Sequence, residues 1–251
     1  METDDGTSRT PQALKLRALL ALLCLNEGRP LSAPQLIEAL WSGAPPRTAS
    51  TALQVYVSRL RKHLTDAGFD ASRLSTRPHG YMMELAPRSL DLHDFESLCR
   101  RAGELRAAGR LEEASQSLSQ ALGLWAGPAL ADLRTVPALQ SLAHQLDEKR
   151  SAALEERAET ELLLGRHKPL IGELYGLIDE QPMRETFYGL LMLALYRNGR
   201  PAEALMIYNR IRRVLIDELG IEPGPRIRQL QQAVLARDAG LEERTLAHLA
   251  C

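Results

Sequence analysis

Three Gly-Arg dipeptides, Gly109-Arg110, Gly165-Arg166 and Gly199-Arg200, constrain the fold of this chain more than any other feature. They sit in Ala108-Gly-Arg-Leu-Glu-Glu-Ala114, Leu164-Gly-Arg-His-Lys-Pro-Leu170 and Asn198-Gly-Arg-Pro-Ala-Glu-Ala204, each with helical pattern before and after it. A turn that recurs between the same kinds of element marks a repeat whose units cannot bury their apolar faces alone and so stack on one another. Gly165 and Gly199 are 34 residues apart, whereas Gly109 and Gly165 are 56 apart, so the first interval carries about 22 additional residues. Those residues include the loop Trp125–Leu133 and a lengthened helix through Ala138–Leu164.

A spacing of 34 is the tetratricopeptide period. Glu180-Gln-Pro182 and Ile221-Glu-Pro223 stand where such repeats place their terminal proline, and a helix over about Arg226–Arg237 would cap the array. Stacked helix pairs present surfaces to proteins and peptides rather than catalytic pockets. The composition agrees: 45% apolar and 25% charged residues exclude wholesale disorder, and only 4% aromatics favours packed helices over sheet sandwiches. The expected fold class is therefore mainly α.

Ahead of the repeats the pattern changes. Residues 1–10 read as a disordered leader, followed by a helix over about Pro11–Asn26 with Leu16, Leu19, Leu20 and Leu23 on one face. Ser32-Ala-Pro-Gln35 is a capping-box pattern opening a short helix to about Trp41, and Ser42-Gly-Ala-Pro-Pro46 cannot continue it. A long amphipathic helix is expected over Arg47–Leu64, and two short strands, Arg73–Arg77 and Tyr81–Leu85, flank Pro78-His79-Gly80 as a hairpin. Helix, helix, turn, helix and hairpin make a winged helix-turn-helix, whose third helix enters the major groove and whose wing lies on the flanking backbone or minor groove. The expected division is a leader at 1–10, a winged domain at 11–88, a tetratricopeptide-like domain at 89–240 and a tail at 241–251.

The third helix carries the candidate site. Leu53, Val57, Leu60 and Leu64 recur at helical spacing beside Tyr56 and face a core. The opposite side carries Arg47, Thr48, Thr51, Val55, Ser58, Arg59 and Lys62, with Gln54 on its flank and no acid. Guanidinium, ammonium, hydroxyl and amide groups suit phosphates and base edges, although an ordinary solvated basic helix presents the same types. Arg77, beside the hairpin tip, is the candidate wing contact. Arg61 lies nearer the core side, where an intramolecular ion pair competes with a DNA contact. The net charge of −1 hides an asymmetry: residues 44–80 hold six basic and two acidic side chains, a local +4.

With these elements on the page, the chain resembles the Streptomyces antibiotic regulatory protein (SARP) family, which joins an OmpR-type DNA-binding domain to a bacterial transcriptional activation domain. The resemblance is carried by Lys15–Leu23, Leu36–Trp41, Thr51–Arg61 and Thr76–Tyr81, and in the second half by Leu90–Phe95, Leu124–Leu133, Leu190–Arg200 and Asp217–Gly224. It implies an activator of a secondary-metabolite gene cluster that binds direct repeats near the promoter −35 region and recruits RNA polymerase holoenzyme. It also implies head-to-tail protomers on one DNA face. Two departures stand out: no strand pattern precedes the first helix, where OmpR-type domains begin with a small sheet, and no P-loop or receiver domain follows the repeats.

Other functions find little support in the residues. Cys24, Cys99 and Cys251 have no metal-ligand spacing, and Cys24 reads as a buried thiol in a reducing compartment. The six histidines are dispersed, no Ser/His/Asp or Cys/His set has local context, and no apolar run approaches a membrane span. The expectation is a cytoplasmic, non-enzymatic protein without cofactor or metal. A different class of function also fits the second half: a helical-repeat adaptor or a ligand-sensing regulator whose winged domain mediates protein contacts.

Overall fold

The computed structural model describes residues 10–86 and 89–242. Nearly all of the expected leader and tail therefore lies outside the described residues. Two structural units result, and their division is not linear: the first comprises the described residues up to Asp94 with Leu124–Arg150, and the second Phe95–Gly123 with the described residues from Ser151.

In the first unit, α1 (Leu14–Leu25) buries Ala18, Leu19, Leu20, Leu22 and Leu23. A two-residue strand β1 (Leu31–Ser32) leads into α2 (Ala33–Trp41). The capping box expected at its start is formed: Ser32 Oγ accepts from Gln35 N at 3.3 Å, and Gln35 Oε1 accepts from Ser32 N at 2.9 Å. Two otherwise orphaned amide donors are satisfied this way, with Pro34 in the first turn, where no amide is needed. Then come α3 (Ala49–Asp66), β2 (Leu74–Arg77) and β3 (Gly80–Met83). The sheet order is β1-β3-β2, antiparallel throughout, with Leu31 opposite Tyr81 and Leu74 opposite Met83. The inner faces of all three helices meet Leu74, Met83, Leu133, Val136 and Leu139 in one core.

Gly80 is set by that sheet. A Cβ at this position would lie 1.9 Å from the Leu31 carbonyl oxygen and 2.7 Å from Ser32 Cα, both backbone atoms of β1. The residue read as part of a turn is a glycine because another strand crosses directly over it.

The second unit is built from α4 (Asp91–Ala107), α5 (Leu111–Gly123), α6 (Pro137–Leu163), α7 (His167–Glu180), α8 (Glu185–Arg197), α9 (Pro201–Leu219) and α10 (Pro225–Ala236); the division between units falls near the start of α4 and inside α6. All three Gly-Arg turns close in one way. The glycine amides donate to Arg106, Leu162 and Tyr196 carbonyls, and the arginine amides donate to Leu105, Glu161 and Leu195 carbonyls at 2.9 Å. These are Schellman closures, which need a left-handed residue; Gly109, Gly165 and Gly199 have φ of 73°, 78° and 73°. Arg110 and Arg200 then each bind the glutamate three residues on, Glu113 and Glu203. Arg166 lacks such a partner because Pro169 occupies that place, and it turns to Glu161 at 3.4 Å. Phe187 to Tyr196 of α8 are buried without interruption, so α8 is the central helix, packed by α7, α9 and α10. Leu241, counted with the tail by sequence, is fully buried in this core.

Candidate nucleic-acid interface

The third helix has the two faces its sequence predicts, displaced by two residues. It runs Ala49–Asp66 instead of Arg47–Leu64 because Pro45, Pro46 and Arg47 belong to the preceding turn, with the Ala49 amide bonded to the Pro46 carbonyl at 2.9 Å. Its end is another Schellman closure, with Gly68 at φ 83° and the Phe69 amide on the Leu64 carbonyl at 2.8 Å. Leu53, Val57, Leu60 and Leu64 are buried. Tyr56 stacks on Trp41 with centroids 6.0 Å apart, and the Lys15 ammonium lies 5.4 Å over the Trp41 ring while donating to the Leu40 carbonyl. This clasp ties α1, α2 and α3 together at the start of the helix.

All nine sequence-predicted contact residues are exposed: Arg47 and Thr48 ahead of the helix, Thr51, Gln54, Val55, Ser58, Arg59 and Lys62 along it, and Arg77 on the hairpin. Thr48 occupies the N-cap position without a side-chain capping bond, so the helix itself does not use its hydroxyl. Val55, 42% exposed, offers an apolar contact of the kind that meets a thymine methyl. Ion pairs of this unit engage Arg17, Arg73, Arg77, His93 and Arg134, and among the described residues Arg47, Arg59 and Lys62 form none. Cations outnumber acids on this face and concentrate positive potential there, although the chain as a whole carries −1.

Sequence left Arg61 between an ion pair and a DNA contact; among the described residues its guanidinium forms hydrogen bonds to the wing instead of an ion pair. Its Nε and Nη2 donate to the Leu74 carbonyl at 3.0 and 2.8 Å, and Nη2 also donates to Thr76 Oγ1 at 2.9 Å. A planar fork spanning helix and strand fixes the angle between α3 and the wing, which a lysine cannot reproduce. Arg77, in turn, does not project from the tip. Its guanidinium pairs with Glu84 Oε1 at 3.0 Å.

Supporting groups stay in fixed charge states. Hydrogen bonds from the Ser72 hydroxyl and amide hold the Asp70 carboxyl below the usual carboxylate range, keeping it charged as the cap of the short 3-10 turn Ala71–Arg73 ahead of β2. Burial, helped by the charge of Glu27, pushes the Cys24 thiol up to about 11, so this partly buried group packed against the core stays protonated near neutral pH. Among the described residues, no group of three or more His, Cys, Asp or Glu side chains is placed to hold a metal ion, and no helix is long and apolar enough to cross a membrane. Sequence reasoning missed β1, which at two residues carries no periodicity, and the partners of Arg61, which lie 13 and 15 positions away.

Comparison with known proteins covers both units. Residues 10–83 match the family described as transcriptional regulatory protein, C terminal, and residues 90–235 match the bacterial transcriptional activator domain. The chain is 37% identical to the regulatory protein DnrI of Streptomyces peucetius over 95% of its own length and 90% of DnrI's. It is 42% identical to the regulatory protein AfsR of Streptomyces coelicolor, over 97% of this chain but 24% of AfsR. Among solved structures, Mycobacterium tuberculosis EmbR in complex with a low-affinity phosphopeptide aligns with a TM-score of 0.87 and 39% identity, covering 94% of this chain and 62% of that one.

Proposed function

The chain belongs to the SARP family of transcriptional regulators, uniting an OmpR-type DNA-binding domain with a bacterial transcriptional activator domain, and from that membership we propose a sequence-specific activator of a secondary-metabolite gene cluster. In this reading residues 11–88 bind promoter DNA, residues 89–240 serve activation, and the protein works in the cytoplasm by binding rather than by catalysis. Thr51, Gln54, Val55, Ser58, Arg59 and Lys62 enter the major groove, Arg47 and Thr48 meet the backbone at the helix start, and Arg77 reaches phosphate or minor groove from the wing. One recognition helix reads only a few base pairs, so adjacent protomers on direct repeats, arranged head to tail near the −35 region, would supply the remaining specificity. RNA polymerase holoenzyme is the partner recruited there.

The observation carrying this reading is the exposed face of α3, which holds no acid from Thr51 to Lys62, with Arg59 and Lys62 outside the ion pairs of this unit among the described residues, beside a wing that Arg61 holds to the same helix. Each phosphate neutralised contributes about 0.9 to the slope of log affinity against log salt. Arg59→Ala and Lys62→Ala should therefore each weaken promoter binding and flatten that slope by about one. Wild-type affinity for both variants across a salt series would remove the assignment. Footprinting of the promoters nearest its own gene, with and without polymerase, tests repeat spacing and recruitment together.

One observation favours a ligand-sensing role in addition. Within the second unit, a cavity of about 390 Å³ opens among α6, α8 and α10, lined by Glu155, Glu159, Glu185, Gly224 and Arg226 among others. That volume suits a small molecule. Its carboxylates are already engaged, Glu155 by Arg184, Glu159 by Arg106 and Glu185 by the Gly224 amide, so a ligand must compete for them. A thermal-shift screen with intermediates of the regulated pathway tests this second reading.

A further inference from the structure

The wing contains a pairing that the DNA-binding reading does not need. Along the outer face of the hairpin, Ser75 and Arg77 on β2 stand opposite Met82 and Gly80 on β3. Gly80 has no side chain, and the crossing of β1 forbids one, so Arg77 has no cross-strand neighbour at the tip. The ladder continues one step past β3, where the Glu84 amide donates to the Arg73 carbonyl at 2.9 Å; this places Glu84 at the base of the same face. Arg73 leans toward Asp70, at 3.9 Å, leaving the Glu84 carboxylate to Arg77. The Arg77 side chain accordingly runs back along the wing to Glu84 Oε1 at 3.0 Å and away from the tip.

We propose that Glu84 sets the DNA affinity of this protein by holding Arg77 stowed along the wing, so that Arg77 reaches DNA only by exchanging the carboxylate for a phosphate. The proposal rests on the wing reading given above. Arg77 and Glu84 are 43% and 56% exposed, and a pair in that environment is weak, biasing Arg77 toward the stowed position by about two- to fivefold. That bias is small enough for the dense phosphates of a duplex to overcome and large enough to measure. Glu84 touches no base in this scheme. It acts through Arg77 alone, and this separates it from a carboxylate that merely repels DNA.

The test is a double-mutant cycle on the full chain, by fluorescence anisotropy with a labelled promoter fragment at one fixed salt concentration. Glu84→Gln should bind about two- to fivefold more tightly than wild type, Arg77→Ala more weakly, and the double variant like Arg77→Ala alone. If Arg77→Ala and Arg59→Ala weaken binding while Glu84→Gln changes nothing, Glu84 has no such role and the DNA-binding reading survives. If Glu84→Gln tightens binding by the same factor with Arg77 already removed, general charge repulsion replaces the stowing account. If neither arginine variant alters binding, the interface itself is misassigned and the proposal falls with it. All these substitutions are on the surface, and matching thermal midpoints establish that the differences arise in binding.

Discussion

Replacing Gly80 with alanine isolates the contact that assembles the wing. Gly80 does not adopt a left-handed conformation, so alanine costs nothing through backbone dihedrals. The cost is steric: the added methyl would lie 1.9 Å from the Leu31 carbonyl oxygen and 2.7 Å from Leu31 C and Ser32 Cα. Real contacts of this kind stay beyond 3.0 Å, so β1 must retreat by at least an ångström, and these are backbone atoms that cannot rotate aside. Two hydrogen bonds bracket the β1–β3 pairing, Ala33 N to His79 O at 3.0 Å and Gly28 N to Met83 O at 2.9 Å. Losing both removes about 2 kcal/mol at roughly 1 kcal/mol each. Residual overpacking adds about 1 kcal/mol or more. The expected destabilisation of the winged unit is thus about 3 kcal/mol. The chain has two units, so the measurement must report on the winged one alone, such as amide exchange of the Gly28, Ala33 and Met83 region with the DNA affinity followed in parallel. Unchanged protection at Gly28 and Ala33, together with unchanged promoter affinity, would show that β1 does not cross Gly80 as described.

Two further outcomes follow from neighbouring groups. Arg61→Lys keeps the charge but loses the fork to Leu74 and Thr76; we expect promoter affinity to fall several-fold and Arg77→Ala to have little further effect in that background, because the wing is no longer aligned with α3. A direct phosphate role for Arg61 would instead leave Arg61→Lys near wild type. Cys24 and Cys99 are both pushed up to about 11, chiefly by burial, from an unfolded value of 9.0. The folded state therefore holds its protons more tightly, and their contribution to stability is complete below about pH 9 and lost as pH rises toward 11. Peptide-resolved alkylation at neutral pH should leave both thiols unmodified until the chain is denatured; rapid labelling of Cys24 in the native protein would contradict its burial.

Much of this architecture is local and could be read before any coordinates. The capping box at Ser32 and Gln35 involves residues three apart, and the Gly-Arg closures involve bonds reaching back five residues at most, so composition and spacing specify them directly. The same holds for the faces of α3, because helical periodicity alone separates Leu53, Val57, Leu60 and Leu64 from Thr51, Ser58, Arg59 and Lys62. The two-residue displacement of that helix is a boundary effect of Pro45 and Pro46, whose rings bias the turn without stating where the first helical residue falls.

What the tertiary structure alone decided is a set of pairings between residues far apart in the chain. Leu31 and Ser32 become a strand only because β3 lies beside them, and that neighbour, not turn chemistry, demands glycine at position 80. Arg61 becomes a strut between helix and wing because two acceptors on β2 come within its reach. Leu133, Val136 and Leu139 join the winged core although they lie beyond two helices of the other unit, a choice that hydrophobic burial makes without regard to sequence order. Sequence by itself determined which side chains face outward on α3; the fold determined that, among the described residues, Arg59 and Lys62 form no ion pair while Arg77 is held back by Glu84. The physical reason is range: periodicity and caps act within a few residues, whereas charge pairing and strand contact depend on partners that only the folded chain brings together.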